Sequence, residues 1–165
     1  MTNISARSAT QTDLNWIQAV TEIAYAVYLP VLGYPPVPVT EDYAPRIEGN
    51  EVFLFTIDAA DCGLVVIETH ETWLEIFSIV VLPEFQGSGA GRAILKWVED
   101  RAARLGKAEV HLYTNALMAR NIGIYRRAGY VETGRRANPK RPQFTIVDMA
   151  KSIEPHRSSR EGSRA

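Results

Sequence analysis

The chain has 165 residues, 46% of them apolar and 22% charged, and a formal net charge of −1. That composition suits one soluble domain and supplies no global field for nucleic acid or an acidic membrane surface. No apolar stretch approaches the roughly 20 residues that span a bilayer, and the single cysteine, Cys62, rules out an internal disulfide.

Residues 1–12 are polar, without the basic start and apolar run of a signal peptide, so a cytoplasmic protein is expected. Ile4–Ser8 reads as a short strand. Thr10-x-x-Asp13 resembles a capping box, and Leu14, Ile17, Thr21, Ala24 and Tyr28 then recur at helical spacing. Pro30, Pro35, Pro36 and Pro38 make residues 29–40 an irregular stiff loop carrying Tyr34, and Thr40 and Glu41 open a second short helix toward Gly49. Residues 51–57 and 63–68 read as a hairpin around the turn Asp58-Ala-Ala-Asp-Cys-Gly63, and residues 73–82 as a third strand ended by Pro83. After a glycine-rich loop, Ile94, Leu95, Val98, Ala102 and Leu105 mark an amphipathic helix closed by Gly106. Residues 109–114 form another strand, and Met118, Ile122 and Tyr125 share a helix face that ends before Gly129. Residues 130–133 and 144–149 are the last strands. The order β-αα-βββ-α-β-α-ββ predicts an α/β (α+β) fold for residues 1–154, with a mixed central sheet of about seven strands and helices on both faces. Residues 155–165, rich in Ser and Arg, are expected to be a flexible polar tail.

The loop Gln86-Gly-Ser-Gly-Ala-Gly91 sits between a strand and a helix. Its glycines can take positive φ, which lets several backbone N–H groups converge on an anion, and the helix adds its own free amides. A pyrophosphate is the natural guest. A P-loop would need Lys then Ser or Thr after the last glycine, and Arg92-Ala93 stands there. The dinucleotide fingerprint would need a third glycine at Arg92. The pattern Q/R-x-x-G-x-G/A is met by Gln86, Gly89 and Gly91.

With that loop in place, residues 75–92 (EIFSIVVLPEFQGSGAGR) and 113–130 (YTNALMARNIGIYRRAGY) resemble the two motif regions of the GCN5-related N-acetyltransferase (GNAT) superfamily, a likeness extending over residues 4–151. The resemblance implies acetyl-CoA as acyl donor, with its pyrophosphate on the Gln86, Gly87, Ser88, Gly89, Ala90, Gly91 and Arg92 segment. It implies a pantetheine arm paired with the backbone of Val80 and Val81, in a slot where that strand splays from the one at 109–114. It also implies that Asn121 bonds the pantetheine amides, that Tyr125 protonates the departing thiolate and that Glu75 is a general base.

Aminolysis of a thioester needs a neutral, aligned amine, a donor for the thioester oxygen and a proton for the leaving sulfur. Tyr125 lies seven residues after Met118 on the same helix face and suits the last role. In a regular strand Glu75 shares a face with Phe77, Ile79 and Val81, an apolar setting that would raise its pKa; a bulge would change that face, and water is the alternative base. Tyr28, Tyr34 and Trp73, with Tyr25 and Tyr43, are candidate walls of the acceptor pocket. His70 and His111 lack partners at metal-ligand spacing, so no metal is expected. The neutral charge balance favours a small-molecule amine as acceptor over a protein or peptide amine, and the presence of both Tyr125 and Glu75 favours an enzyme over a non-catalytic acyl-CoA sensor. Edge strands of such a sheet leave pairing into a homodimer open.

Overall fold

The computed structural model describes residues 3–154; the tail expected at 155–165 lies outside the described residues. Seven strands form one sheet: β1 (Ile4–Ser8), β2 (Val52–Ile57), β3 (Ala60–Thr69), β4 (Trp73–Val81), β5 (Glu109–Asn115), β6 (Val131–Ala137) and β7 (Thr145–Ser152), in the order β1-β2-β3-β4-β5-β7-β6. Only β4 and β5 pair in parallel; every other neighbour is antiparallel. Helices lie on both faces, as the element order predicts.

On one face, α5 (Ala90–Arg104) and α6 (Ala119–Arg127) cover Phe55, Val65, Ile67, Leu74, Ile76 and Val147 with Ile94, Leu95, Val98 and Ile122. On the other, α1 (Leu14–Tyr25) and the short α4 (Ala44–Glu48) cover Leu54, Leu64, Val66 and Val80 with Ile17, Val20 and Ile47. Burial of these aliphatic stripes drives the assembly, at about 25 cal/mol per Å² of apolar surface removed from water. Leu105, expected on the buried stripe of α5, is instead exposed, because α5 ends one residue earlier and Gly106 turns the chain away at φ 71°.

Four further expectations need correcting. The helix after Thr10 becomes a 3₁₀ turn at 26–28, and the proline segment is not wholly irregular. It holds two single helical turns, α2 (Leu29–Leu32) and α3 (Val37–Thr40), each with proline in its first turn. There the missing N–H has no acceptor to lose. The short helix expected from Thr40 starts later, at Ala44, whose amide donates to Asp42 Oδ1 at 3.1 Å. The hairpin turn is only two residues, Asp58 (φ 49°) and Ala59 (φ 67°), so residues 60–62 belong to β3. Cys62 is the extra residue of a bulge, since Phe55 pairs with Gly63 but Thr56 with Asp61. Beside it, a Cβ on Gly63 would lie 2.1 Å from the Val80 carbonyl oxygen, so only glycine fits that approach.

The bulge that shapes the site lies in β4. Val66 pairs with Ser78 and Ile67 with Ile76, leaving Phe77 as the extra residue. Side-chain faces therefore switch at Phe77. Leu74 and Ile76 enter the core under α5, whereas Val80 enters the core under α1. Glu75 consequently does not share a face with Ile79 and Val81, as a regular strand would require.

Candidate active site

Parallel pairing of β4 with β5 runs from Trp73 opposite Glu109 to Ile76 opposite Leu112 and stops there. Both strands continue, β4 to Val81 and β5 to Asn115, so the sheet is open along residues 77–81. The Leu82 amide donates to Cys62 O across β3 at 2.8 Å. By strand alternation, the amides of Ile79 and Val81 point away from β3 and into the opening.

At the C-terminal end of this open edge stands the glycine loop. Gly87 and Gly89 adopt φ 80° and 90°, values that a side chain would strain, and Gly89 caps α5. The amides of Ser88 and Gln86 bond back to Phe85 O and Pro83 O, and the Ser88 hydroxyl donates to Phe85 O. The Gly87 and Gly89 amides take no backbone acceptor among the described residues. Those of Ala90, Gly91 and Arg92 fall in the first turn of α5, where no i−4 acceptor exists. The Gln86 side chain donates to Val81 O at 3.4 Å, tying loop to strand, and Arg92 Nη2 reaches Arg127 O at 3.5 Å. The cluster of free amides at a positive helix end suits a diphosphate.

Two cavities flank the opening. One, of about 360 Å³, runs from Gln86, Gly87 and Gly91 past Val81 to Tyr28, Asn121 and Tyr125. The other, of about 400 Å³, runs from Tyr125, Asn121 and Ser78 to Tyr34, Arg136 and Lys140. Tyr25, Ile79, Asn121 and Tyr125 border both, so they form the wall where the cavities meet. The Tyr28 hydroxyl donates to Asn121 Oδ1 at 2.8 Å, and the Tyr25 hydroxyl lies 3.1 Å from Ser78 Oγ. Burial, then repulsion from Tyr25 and Tyr28, raises the Tyr125 hydroxyl far above an ordinary phenol, with no hydrogen bond among the described residues to offset it. It is protonated at neutral pH.

The sequence-derived candidates thus divide. Val81, Gln86, Gly87, Gly91, Asn121, Tyr125 and Tyr28 border the first cavity, and Tyr34 borders the second; Val80 is buried under α1. Glu75 and Trp73 border neither. Trp73 is stacked between His70, at 4.5 Å between ring centroids, and His111, at 5.2 Å. Glu75 Oε2 lies 3.3 Å from His70 Nε2, and Glu68 Oε2 lies 3.6 Å from the same nitrogen. These three side chains are close enough to share a cation, and Arg46 binds Glu68 Oε1 at 3.0 Å while also pairing with Glu41 and Glu51. Residues that sequence reasoning passed over are Ser78, a lone hydroxyl in an apolar strand, and the cationic rim Arg136, Lys140 and Arg141. The run Arg135-Arg-Ala-Asn-Pro-Lys-Arg141 was the signal for that rim.

The chain is 32% identical over 73 residues to an IAA acetyltransferase of Azospirillum brasilense, a match covering 44% of this chain and 48% of that protein. It is 34% identical over 89 residues to a probable N-acetyltransferase 14 of Xenopus tropicalis, covering 52% of this chain and 43% of that protein. This chain therefore spans about half the length of the curated relatives it matches. Its fold matches the PaiA N-acetyltransferase of Thermoplasma acidophilum, solved in complex with coenzyme A, at a TM-score of 0.73 and 16% identity, covering 92% of this chain and 99% of that one. Among the described residues no helix is long and apolar enough to cross a membrane. The family model described as acetyltransferase (GNAT) matches residues 19–130, and on that match, with the glycine loop and the splayed β4–β5 edge, the chain belongs to the GNAT acetyltransferase family.

Proposed function

We propose that the chain transfers the acetyl group of acetyl-CoA to the amine of a small molecule, by direct attack while both substrates are bound. The observation that carries this reading is the position of Tyr125, which borders both the cavity that starts at the glycine loop and the cavity on the far side of the open strand. In this reading the free amides of the glycine loop and α5 hold the pyrophosphate. The pantetheine arm lies along the Ile79–Val81 edge, with Asn121 beside it. The amine enters through the second cavity and its nitrogen attacks the thioester carbon. A backbone amide of the open edge stabilises the oxygen as charge grows there. The carbon–sulfur bond breaks, and the thiolate takes the Tyr125 proton. The desolvation that raises the Tyr125 pKa also raises the proton affinity of a thiolate formed beside it.

The proton of the attacking amine passes to water, which then restores Tyr125 from solvent. Glu75 and a water were the sequence-level alternatives for this step, and Glu75 stands outside both cavities. Calorimetric titration with coenzyme A, followed by measuring thiol release from acetyl-CoA with a panel of amines, tests the whole reading. Saturable binding and amine-dependent thiol are expected. Absence of coenzyme A binding would overturn it, and binding with no thiol from any amine would turn it into the sensor reading.

A further inference from the structure

We infer that the acceptor is a small amine that carries an anionic group at the end remote from its nitrogen, joined through an apolar body. The inference rests on the acetyl-transfer reading above and adds the acceptor's chemical class.

The second cavity has three chemically distinct zones. At Tyr125, Asn121 and Ser78 it meets the open edge, where the amine must arrive. Its walls are apolar, including Leu32, Ile76, Leu112, Met118 and Ile146. Its far rim carries Arg136 and Lys140, and Arg141 adds a third cation with its guanidinium 3.8 Å over the Tyr34 ring. No carboxylate lines this cavity among the described residues. Asp148, which holds Arg136 at 2.9 and 3.2 Å, does not line it. Lys140 and Arg141 have no carboxylate partner among the described residues, so the rim keeps a net positive charge.

The rim is also fixed in place. Arg136 stands at the end of β6, and Lys140 and Arg141 sit on the turn to β7, where the Asn138 amide donates to Phe144 O and the Phe144 amide to Arg141 O, both at 2.9 Å. Asn138 Oδ1 accepts from the Lys140 amide at 3.0 Å and the Arg141 amide at 3.3 Å. The cations are therefore presented by a strand end and an ordered turn and need little rearrangement to meet an anion. A polyamine would find the opposite of what it needs: its second ammonium would face cations, with no carboxylate to receive it. Like charges brought together in a concave site oppose binding, whereas an anion there gains and is steered inward.

The test compares four acceptors in the presence of acetyl-CoA, read by thiol release: 4-(aminomethyl)benzoate, benzylamine, 4-(aminomethyl)benzamide and 1,6-diaminohexane. The benzoate is expected to exceed benzylamine and the benzamide by roughly tenfold in kcat/KM, equivalent to about 1.4 kcal/mol, and the diamine to be slowest. Rising salt should shrink the advantage, and Lys140→Glu should bring the benzoate-to-benzylamine ratio below one. A benzoate no faster than benzylamine, or a diamine fastest of all, overturns the inference while leaving acetyl transfer standing. Faster turnover of a short peptide than of the benzoate overturns the small-molecule assignment. If no amine releases thiol, titration of 4-(acetamidomethyl)benzoate and its benzamide counterpart into coenzyme A-loaded protein still reads the rim. Equal affinities there overturn the inference, and tighter benzoate binding supports anion recognition without turnover.

Discussion

The two halves of β4 make the sharpest contrast in the molecule. From Trp73 to Ile76 the strand is paired on both sides, and Glu75 on it joins a polar group with Glu68, His70 and Arg46. From Ser78 to Val81 it is paired only with β3, and its other edge faces the two cavities. The divide is one extra residue, Phe77, whose ring stacks under the Arg46 guanidinium at 3.8 Å to the ring centroid. A single bulge therefore separates a half that behaves as scaffold from a half free to take on an added partner strand.

The largest effect is expected where the open half is backed. Gly63 stands against Val80, and any Cβ there meets a backbone carbonyl that no side-chain rotation can relieve. Gly63→Ala should lower the unfolding free energy by about 3 kcal/mol, at the upper end of overpacking effects. Urea denaturation checks it; a loss below about 1 kcal/mol would mean that the open half yields easily and that the contrast in rigidity is wrong. Next comes Tyr125→Phe. It removes the hydroxyl but keeps the buried ring, so coenzyme A affinity should change by less than about threefold while kcat falls on the order of 10²-fold, the usual scale for lost proton transfer. Unchanged turnover in steady-state assays would remove Tyr125 from the chemistry.

Much of this arrangement is legible in the sequence because it is local. Glycine at 87, 89 and 106 announces backbone conformations that other residues avoid, and each adopts positive φ. Met118, Ile122 and Tyr125 repeat at helical spacing and are buried together. What escaped has a physical reason in each case. Burial along β4 alternates without a break from Trp73 to Val81, so the pattern hides the bulge: Ile76 and Val80 are both buried, but in different cores. Prolines at 30, 36 and 38 signal a break in a long helix yet allow isolated first turns. The cationic rim depends on β6 and β7 bringing residues 136–141 over a cavity floored by β4 and β5, a long-range adjacency that spacing in the chain does not carry. Trp73 has the side chain of a pocket wall, but His70 from the β3–β4 turn and His111 from β5 lie on either side of it.

The smallest expected effect tests the scaffold half directly. Glu75 is where a general base would sit if β4 were regular, with its carboxylate on the same face as Ile79 and Val81. The bulge instead puts Ile79 and Val81 on the other face, and Glu75 packs toward Glu68 and His70, paired with His111 of β5 and outside the lining of both cavities. Glu75→Gln keeps the side chain's shape and removes only its charge and proton affinity. On the reading in which water accepts the amine's proton, kcat should fall by less than about threefold, far short of the 10²-fold or more that removal of a positioned base brings. Stability should change by less than about 1 kcal/mol, because the lost contact to a partly exposed histidine is offset by relief of the facing Glu68 charge. Measuring kcat across neutral pH for both forms separates the outcomes. Parallel profiles keep β4 divided into scaffold and site, whereas a profile that loses its acidic limb in the Gln variant would make the two halves one catalytic strand.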